Sequence, residues 1–380
     1  MPKKSVKNSV LGFSLSDAPS RHGDRLFTFA LIGLCVTGVL MVYSSSFYKA
    51  FDLYRDPYHF LKEHLIRLGI GFCLFLIAYR FDYHWLRRWS ILPLFLCTVA
   101  LIGVLFTGEG VNRWVTIAGV RLQPSEFARI ALIVYMADWC SRNTKKLRES
   151  FNSFLFMCLS VVLVSGLVMV EPSYSAAVMI FVSGGILLVL AGARWLHIFA
   201  VLLPALPLTV YMALAQPYRL KRLLAYLNPL ADPLGAGYQI NQSKIAVGSG
   251  QLWGFGFGMS GQKFHFLPEA HCDFIFSILC EERGFIGGFI VILLFVVLVW
   301  RGMRIAARSP DPFGFLLAGG LTVSIALFAA VNIAVTLGVF PVTGLPLPFI
   351  SYGGSALIAN LIACGIILNV SRHTDSPESI

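Results

Sequence analysis

A chain of 380 residues that is 57% hydrophobic and 13% charged, with a mean hydropathy of +0.75, cannot be a string of soluble domains, which run at about 45–50% apolar and about 25% charged. A bilayer is the solvent that suits it, because roughly 20 apolar residues cross the hydrocarbon core as one helix. The formal charge of +11 does not call for nucleic acid, since the cytoplasmic loops of membrane proteins collect Lys and Arg.

A polar tail, residues 1–25, precedes the first apolar run, which passes any small-residue cleavage site, so no cleavable signal peptide is expected. Ten apolar runs follow: Phe27–Tyr43, Leu65–Tyr79, Ser90–Phe106, Phe127–Cys140, Phe154–Val170, Tyr174–Ala191, Trp195–Ala215, Gly284–Trp300, Phe313–Phe340 and Phe349–Val370. They predict an all-α, polytopic membrane domain over 26–372 with ten spans, followed by a short tail, 373–380. The second and fourth runs are short and carry Arg67 and Arg129; Asn332 and Gly338 predict that the ninth departs from a simple helix at its outer end. Ten crossings put both termini on one side. If that side is the cytoplasm, its segments hold seventeen Lys and Arg, while the short outer loops hold Lys49, Arg55, Lys62, Arg113 and Arg121, which is the expected bias.

The eight cysteines show no C-x-x-C spacing, so neither a disulfide framework nor a metal site is indicated. The large loop, Gln216 to Arg283, is the one extramembrane segment long enough to hold chemistry, and its recurring aromatics suit the headgroup region. Gly256–Gly261 matches G-x-G-x-x-G, but neither the strand nor the βαβ unit of a dinucleotide site is present; a tightly folded glycine loop is expected.

Asp273 stands just before the apolar run Phe274–Cys280. It either caps a helix, which lowers its pKa, or is desolvated into a base, which raises it. Glu281, Glu282 and Arg283 would lie deep in the membrane if the eighth span began at Asp273. A span beginning near Gly284, with Asp273–Cys280 as a short re-entrant helix, is preferred. Glu126 and Arg129 share a helix face and can pair, either structurally or around a substrate. Glu171-Pro172-Ser173 reads as a structural turn. The cluster Arg219, Lys221 and Arg222 is either a solvated amphipathic segment or an anion site. Ser351-Tyr-Gly-Gly-Ser355 reads as close helix packing.

Taken in order, Gln123-Pro-Ser-Glu126-Phe-Ala, Gly235-Ala-Gly-Tyr-Gln239, Ala246-Val-Gly-Ser-Gly250, Leu267-Pro-Glu-Ala-His271, Asp273-Phe-Ile-Phe276, Glu281-Glu282 and Gly344-Leu-Pro-Leu-Pro-Phe-Ile-Ser-Tyr-Gly-Gly-Ser355 resemble the SEDS family (shape, elongation, division and sporulation) of cell-wall polymerases, over about residues 25 to 372. Asn228–Pro233 and Gly258–Lys263 resemble the division branch, while Gln242–Ala246 is closer to the elongation branch. The resemblance implies a ten-helix bundle in the bacterial cytoplasmic membrane, at the septum, that polymerises lipid II into β-1,4 glycan strands. It implies that Asp273 is the catalytic residue, a base for the acceptor hydroxyl; the candidate substrate contacts are Arg113, Arg129, Arg219 and Arg222, which would offset the departing pyrophosphate, with Trp114, Gln123, Ser125, Glu126, Lys244, Gln262, Glu269 and His271. Mg²⁺ or Mn²⁺ dependence, a class B penicillin-binding protein and other division membrane proteins as partners are also implied. The chain departs from the family with Cys272 before the aspartate, Ser173 in place of an Asp, and Arg129 in place of a Lys. A lipid II flippase, an elongation polymerase and a non-catalytic scaffold are the alternatives.

Overall fold

The computed structural model describes residues 24–106, 113–117, 120–171, 173–214, 217–228, 236–264 and 266–373. Among them the chain forms α1 (Arg25–Tyr54), α2 (His59–Arg80), α3 (Tyr83–Arg88), α4 (Ile91–Phe106), the strands β1 (Val115–Ile117) and β2 (Val120–Leu122), α5 (Pro124–Arg142), α6 (Thr144–Glu149), α7 (Phe151–Val170), α8 (Tyr174–Leu190), α9 (Trp195–Leu214), α10 (Pro217–Leu227), α11 (Ala236–Ser249), α12 (Ile275–Ala307), α13 (Pro312–Thr336) and α14 (Gly354–His373). Most of the tail 1–25, the tail 373–380 beyond His373, Pro172 and the segment 229–235 of the large loop lie outside the described residues.

Among the described residues five helices, α1, α7, α12, α13 and α14, are long and apolar enough to cross a membrane, and α4, α8 and the first part of α9 are shorter apolar helices. The described residues are mostly helical with almost no strand, consistent with a polytopic helical membrane protein, whose backbone groups have no water to bond. Each of the ten apolar runs lies wholly or mainly on a helix. The ends differ where the backbone turns. The ninth run stops being helical at Thr336, and Gly338 at φ 71° marks the departure. The tenth becomes helical only at Gly354, because Phe349 sits at φ 66° and the amides of Ile350 and Ser351 turn back onto the Leu347 carbonyl. β1 and β2, read from the sequence as plain loop, form an antiparallel hairpin with Val115 opposite Leu122.

Amphipathicity here runs between protein and lipid rather than protein and water. α1 buries Phe27, Ala30, Leu31 and Leu34 while Phe29, Ile32, Val36 and Leu40 stand exposed at helical spacing, an apolar stripe that a bilayer covers. At the centre, α14 is buried at nearly every position from Gly354 to Ser371. Its approach to α2 is close at Gly365, where a Cβ would stand 2.6 Å from the Phe75 carbonyl oxygen, and at Gly354 the Arg67 side chain fills the space a Cβ would take. The close packing read from Ser351–Ser355 is thus present.

The described parts of the large loop are structured. α10 and α11 precede a glycine-rich turn region, and α12 itself is broken: Gly284, at φ 65° and ψ −167°, separates a short helix ending at Arg283 from the longer one that follows. The break falls at Gly284, where the preferred reading begins the span, but the short helix starts at Ile275 and includes Glu281, Glu282 and Arg283 rather than ending at Cys280. A break leaves carbonyls and amides unpaired. The glycine region supplies their partners: the amides of Phe255 and Gly256 donate to the carbonyls of Glu281 and Glu282 at 3.0 and 2.9 Å, and the amides of Phe285 and Ile286 donate to the carbonyls of Gln251 and Leu252 at 2.7 and 3.3 Å. Backbones meet so closely that a Cβ on Gly254 would collide with the Glu282 carbonyl. Within the G-x-G-x-x-G match, Gly256 and Gly258 stand at φ 105° and 80°, so its glycines serve the folding of this turn region.

Candidate functional site

Asp273 closes a turn that starts at Glu269. Glu269 adopts φ 53°, and its carbonyl accepts the amides of Cys272 and Asp273 at 3.0 and 3.1 Å. The next helix begins after Phe274, which occupies the N-cap position without a side-chain cap bond, so the Asp273 carboxylate is not the cap. Two external contacts fix the turn. Asn332 on α13 donates from Nδ2 to the Asp273 carbonyl at 3.0 Å and to the Leu345 carbonyl at 2.7 Å. The Tyr352 amide donates to the His271 carbonyl at 3.0 Å, while the His271 ring lies 4.9 Å from that of Phe60 and 5.6 Å from that of Tyr352.

The carboxylate of Asp273 is half-buried and faces Gly344, where a Cβ would lie 3.6 Å from Oδ2. Burial pushes its pKa up to about 6, the charge of Glu269 adds to this, and Arg222 opposes it. The residue is ionised at neutral pH but is a stronger base than an exposed aspartate. Glu269 itself is held below the usual carboxylate range: burial would raise it, but Lys49, which bonds it at 2.8 Å, outweighs that. Burial and the Lys49 charge push His271 down to about 4, so its imidazole is neutral at physiological pH.

Two cations stand against the segment that precedes Gly344. Arg222 donates from Nη1 to the Val342 carbonyl at 3.2 Å, and Tyr226 from the same helix donates to the Val339 carbonyl at 2.7 Å. Lys244 on α11 lies over Gly338, its Cε filling the space where a Cβ would stand. Both charges therefore line the segment 338–342 that runs into Gly344. Arg219 is on α10, but its side chain lies outside the described residues. Gln262 is placed further along, its amide donating to Glu281 Oε2 at 3.4 Å.

The other sequence candidates fall into two separate groups. Arg113 donates from Nε to the Glu171 carbonyl at 3.2 Å beside exposed Trp114. Glu171 is buried, which pushes its pKa up to about 7 against the opposing charge of Arg113. Glu126 and Arg129 form a pair at 3.2 Å inside the bundle, with Arg129 also bonded to Ser324 at 2.7 Å and Asn360 at 3.0 Å and stacked 4.2 Å over Phe328. The pair ties α5 to α13 and α14. Its anchor on α13, Ser324, stands about 12 Å along the helix axis from Asn332, so the pair and the Asp273 turn are held by different parts of one helix. Ser125 is buried beside the pair, and the Gln123 amide donates to Ser355 Oγ at 2.8 Å.

Among the described residues, Glu269, His271 and Cys272 are the one group of three potential ligand side chains close together. Glu269 is engaged by Lys49, and a thiol with an imidazole suits softer metals than Mg²⁺ or Mn²⁺, which take oxygen ligands. The donor set does not fit the hard cation implied by the resemblance.

Sequence reading missed Asn332 as a partner of the aspartate, and Tyr352, Gly344 and Lys49 with it. The motif Gly344–Ser355 held two of these, but its order in sequence does not show that it folds back onto residues 271–273.

The family model for the cell cycle proteins FtsW, RodA and SpoVE matches residues 24–376. The chain is 42% identical over 353 residues to a probable peptidoglycan glycosyltransferase FtsW of Trichlorobacter lovleyi, covering 92% of this chain and 93% of that one. It is 41% identical over 357 residues to the stage V sporulation protein E of Bacillus subtilis, covering 92% and 97%. A chain from a peptidoglycan synthase complex, described for its structural coordination of polymerization and crosslinking, superposes with a TM-score of 0.74 at 26% identity, covering 93% of this chain and 98% of that chain. The rod shape determining protein RodA of Thermus thermophilus superposes with a TM-score of 0.69 at 23% identity, covering 93% and 98%. With nearly its whole length matched and relatives above 40% identity, this chain belongs to the FtsW/RodA/SpoVE family of cell cycle proteins.

Proposed function

We propose that the protein is a peptidoglycan glycosyltransferase that polymerises lipid II during septal wall synthesis, with Asp273 as general base. One observation carries this reading: a half-buried carboxylate, free of capping duty and raised to a pKa of about 6, faces Gly344 at the end of a segment that Arg222 and Lys244 contact at Val342 and Gly338. The acceptor's GlcNAc 4-hydroxyl loses its proton to Asp273 as it attacks the anomeric carbon of the donor MurNAc. The undecaprenyl pyrophosphate departs from the opposite face, and the α-linked donor becomes a β-1,4-linked product in one inverting displacement. Charge on the leaving pyrophosphate needs a positive counterpart, which Arg222 and Lys244 supply here.

In this reading the ten apolar helices all cross the cytoplasmic membrane, both termini are cytoplasmic, and the large loop with Asp273 lies at the outer face. A class B penicillin-binding protein crosslinks the product alongside other division membrane proteins; the likeness to a chain of a peptidoglycan synthase complex supports this.

Purified protein in liposomes, given labelled lipid II, tests the reading. Glycan polymer that disappears in Asp273→Asn supports it. Headgroup translocation without polymer would instead make the protein a flippase, and normal septation in cells carrying Asp273→Asn would make it a scaffold.

A further inference from the structure

The chemistry above uses Asp273 at one end of the short helix that stops at Gly284 and leaves the other end, Glu281 and Glu282, without a role. Both carboxylates are buried, at 3% and 0% exposure. Glu281 accepts the Ser260 hydroxyl and the amides of Gly261 and Gln262. Glu282 accepts the Lys263 ammonium at 3.2 Å and the hydroxyl of Ser44, from α1, at 2.5 Å. Lys263 is buried too, and its ammonium also donates to the Gly258 carbonyl. Three separate pieces of chain, α1, the glycine region and the short helix, thus meet at one buried ion pair.

Such a pair is a poor way to gain stability, since apolar side chains of like volume often hold the same space as well or better. What it provides is a fixed geometry. The helix begins at Ile275, and from there to Glu282 it is about 10 Å long, so a tilt of roughly 5° at one end moves the other, and the Asp273 turn joined to it, by about 1 Å. A displacement of that size is enough to impair a reacting geometry.

We propose that Lys263, Glu282 and Ser44 form a positioning latch that sets the tilt of the short helix and thereby aims the Asp273 carboxylate. This inference rests on Asp273 being the base. The latch residues do not touch substrate; they act through the helix.

The test uses the full-length protein in liposomes at saturating labelled lipid II. Lys263→Met alone strands a buried carboxylate and can fail to fold, so the informative variant is Lys263→Met with Glu282→Met. The latch predicts that this double variant accumulates and melts no lower than wild type, that kcat falls about 10- to 100-fold, and that KM stays within about twofold. Lys263→Arg, which keeps the charge, is expected to hold kcat within about threefold. Wild-type kcat in the double variant overturns the proposal. So does an activity loss that matches the loss of folded protein, because the pair is then only a stability element. Asp273→Asn run alongside separates the claims: polymer from it removes the base, whereas a silent Asp273→Asn beside a full-speed double variant removes the latch alone.

Discussion

Asn332 spans from α13 to Asp273, and the same amide nitrogen that donates to the Asp273 carbonyl at 3.0 Å also donates to the Leu345 carbonyl at 2.7 Å. One buried side chain therefore holds the backbone of the candidate base against the segment its carboxylate faces. Asn332→Ala leaves both carbonyls without that partner, at about 1–3 kcal/mol each. It is expected to lower kcat about 10- to 100-fold with KM little changed. Steady-state polymerisation by the folded fraction checks this; a rise in KM with kcat unchanged would count against the clamp.

The raised pKa of Asp273 fixes the sign of the pH response. A base works ionised, so activity should be flat above neutrality and fall about tenfold per pH unit below a break near pH 6. An exposed aspartate would break near 4. Initial rates in matched buffers locate the break.

Glu126 and Arg129 make a different prediction, about stability. Arg129→Met strands a buried carboxylate and is expected to cost about 3–5 kcal/mol, whereas Glu126→Gln with Arg129→Met costs much less. Thermal unfolding in detergent compares the two. Equal losses would mean that the charges are not paired.

Glu171 titrates in the accessible range. Its pKa is about 7 in the fold against 4.5 ordinarily, so the folded state binds the extra proton between those values and stability falls as pH rises through that window. Glu171→Gln imitates the neutral form. It should match wild type near pH 4.5, gain relative stability up to about pH 7 and hold that advantage above. Arg113 is anchored through the Glu171 backbone carbonyl, which glutamine retains, so polymerisation should persist. Melting curves from pH 4.5 to 8 report the trend.

Much of this was legible in the sequence because membrane helices declare themselves by composition. The ten apolar runs each fell on a helix, the i, i+3 spacing of Glu126 and Arg129 produced their ion pair, and charge burial placed the break at Gly284. Contacts between distant segments were not legible. Nothing local to Asn332 says that it reaches residue 273, and nothing local to Lys263 says that it meets Glu282 and Ser44. Helix starts were misread where a backbone turn interrupts an apolar run, as at Phe349. Asp273 itself stood between cap and base on sequence grounds, and the N-cap at Phe274 removes the first.

The claim on which the rest depends is that the Asp273 carboxylate takes the acceptor's proton. The direct measurement is glycan strand formation from labelled lipid II by Asp273→Asn, purified and folded like wild type. Strands are expected from wild type and none above background from the variant; strands from Asp273→Asn at a comparable rate would contradict the claim.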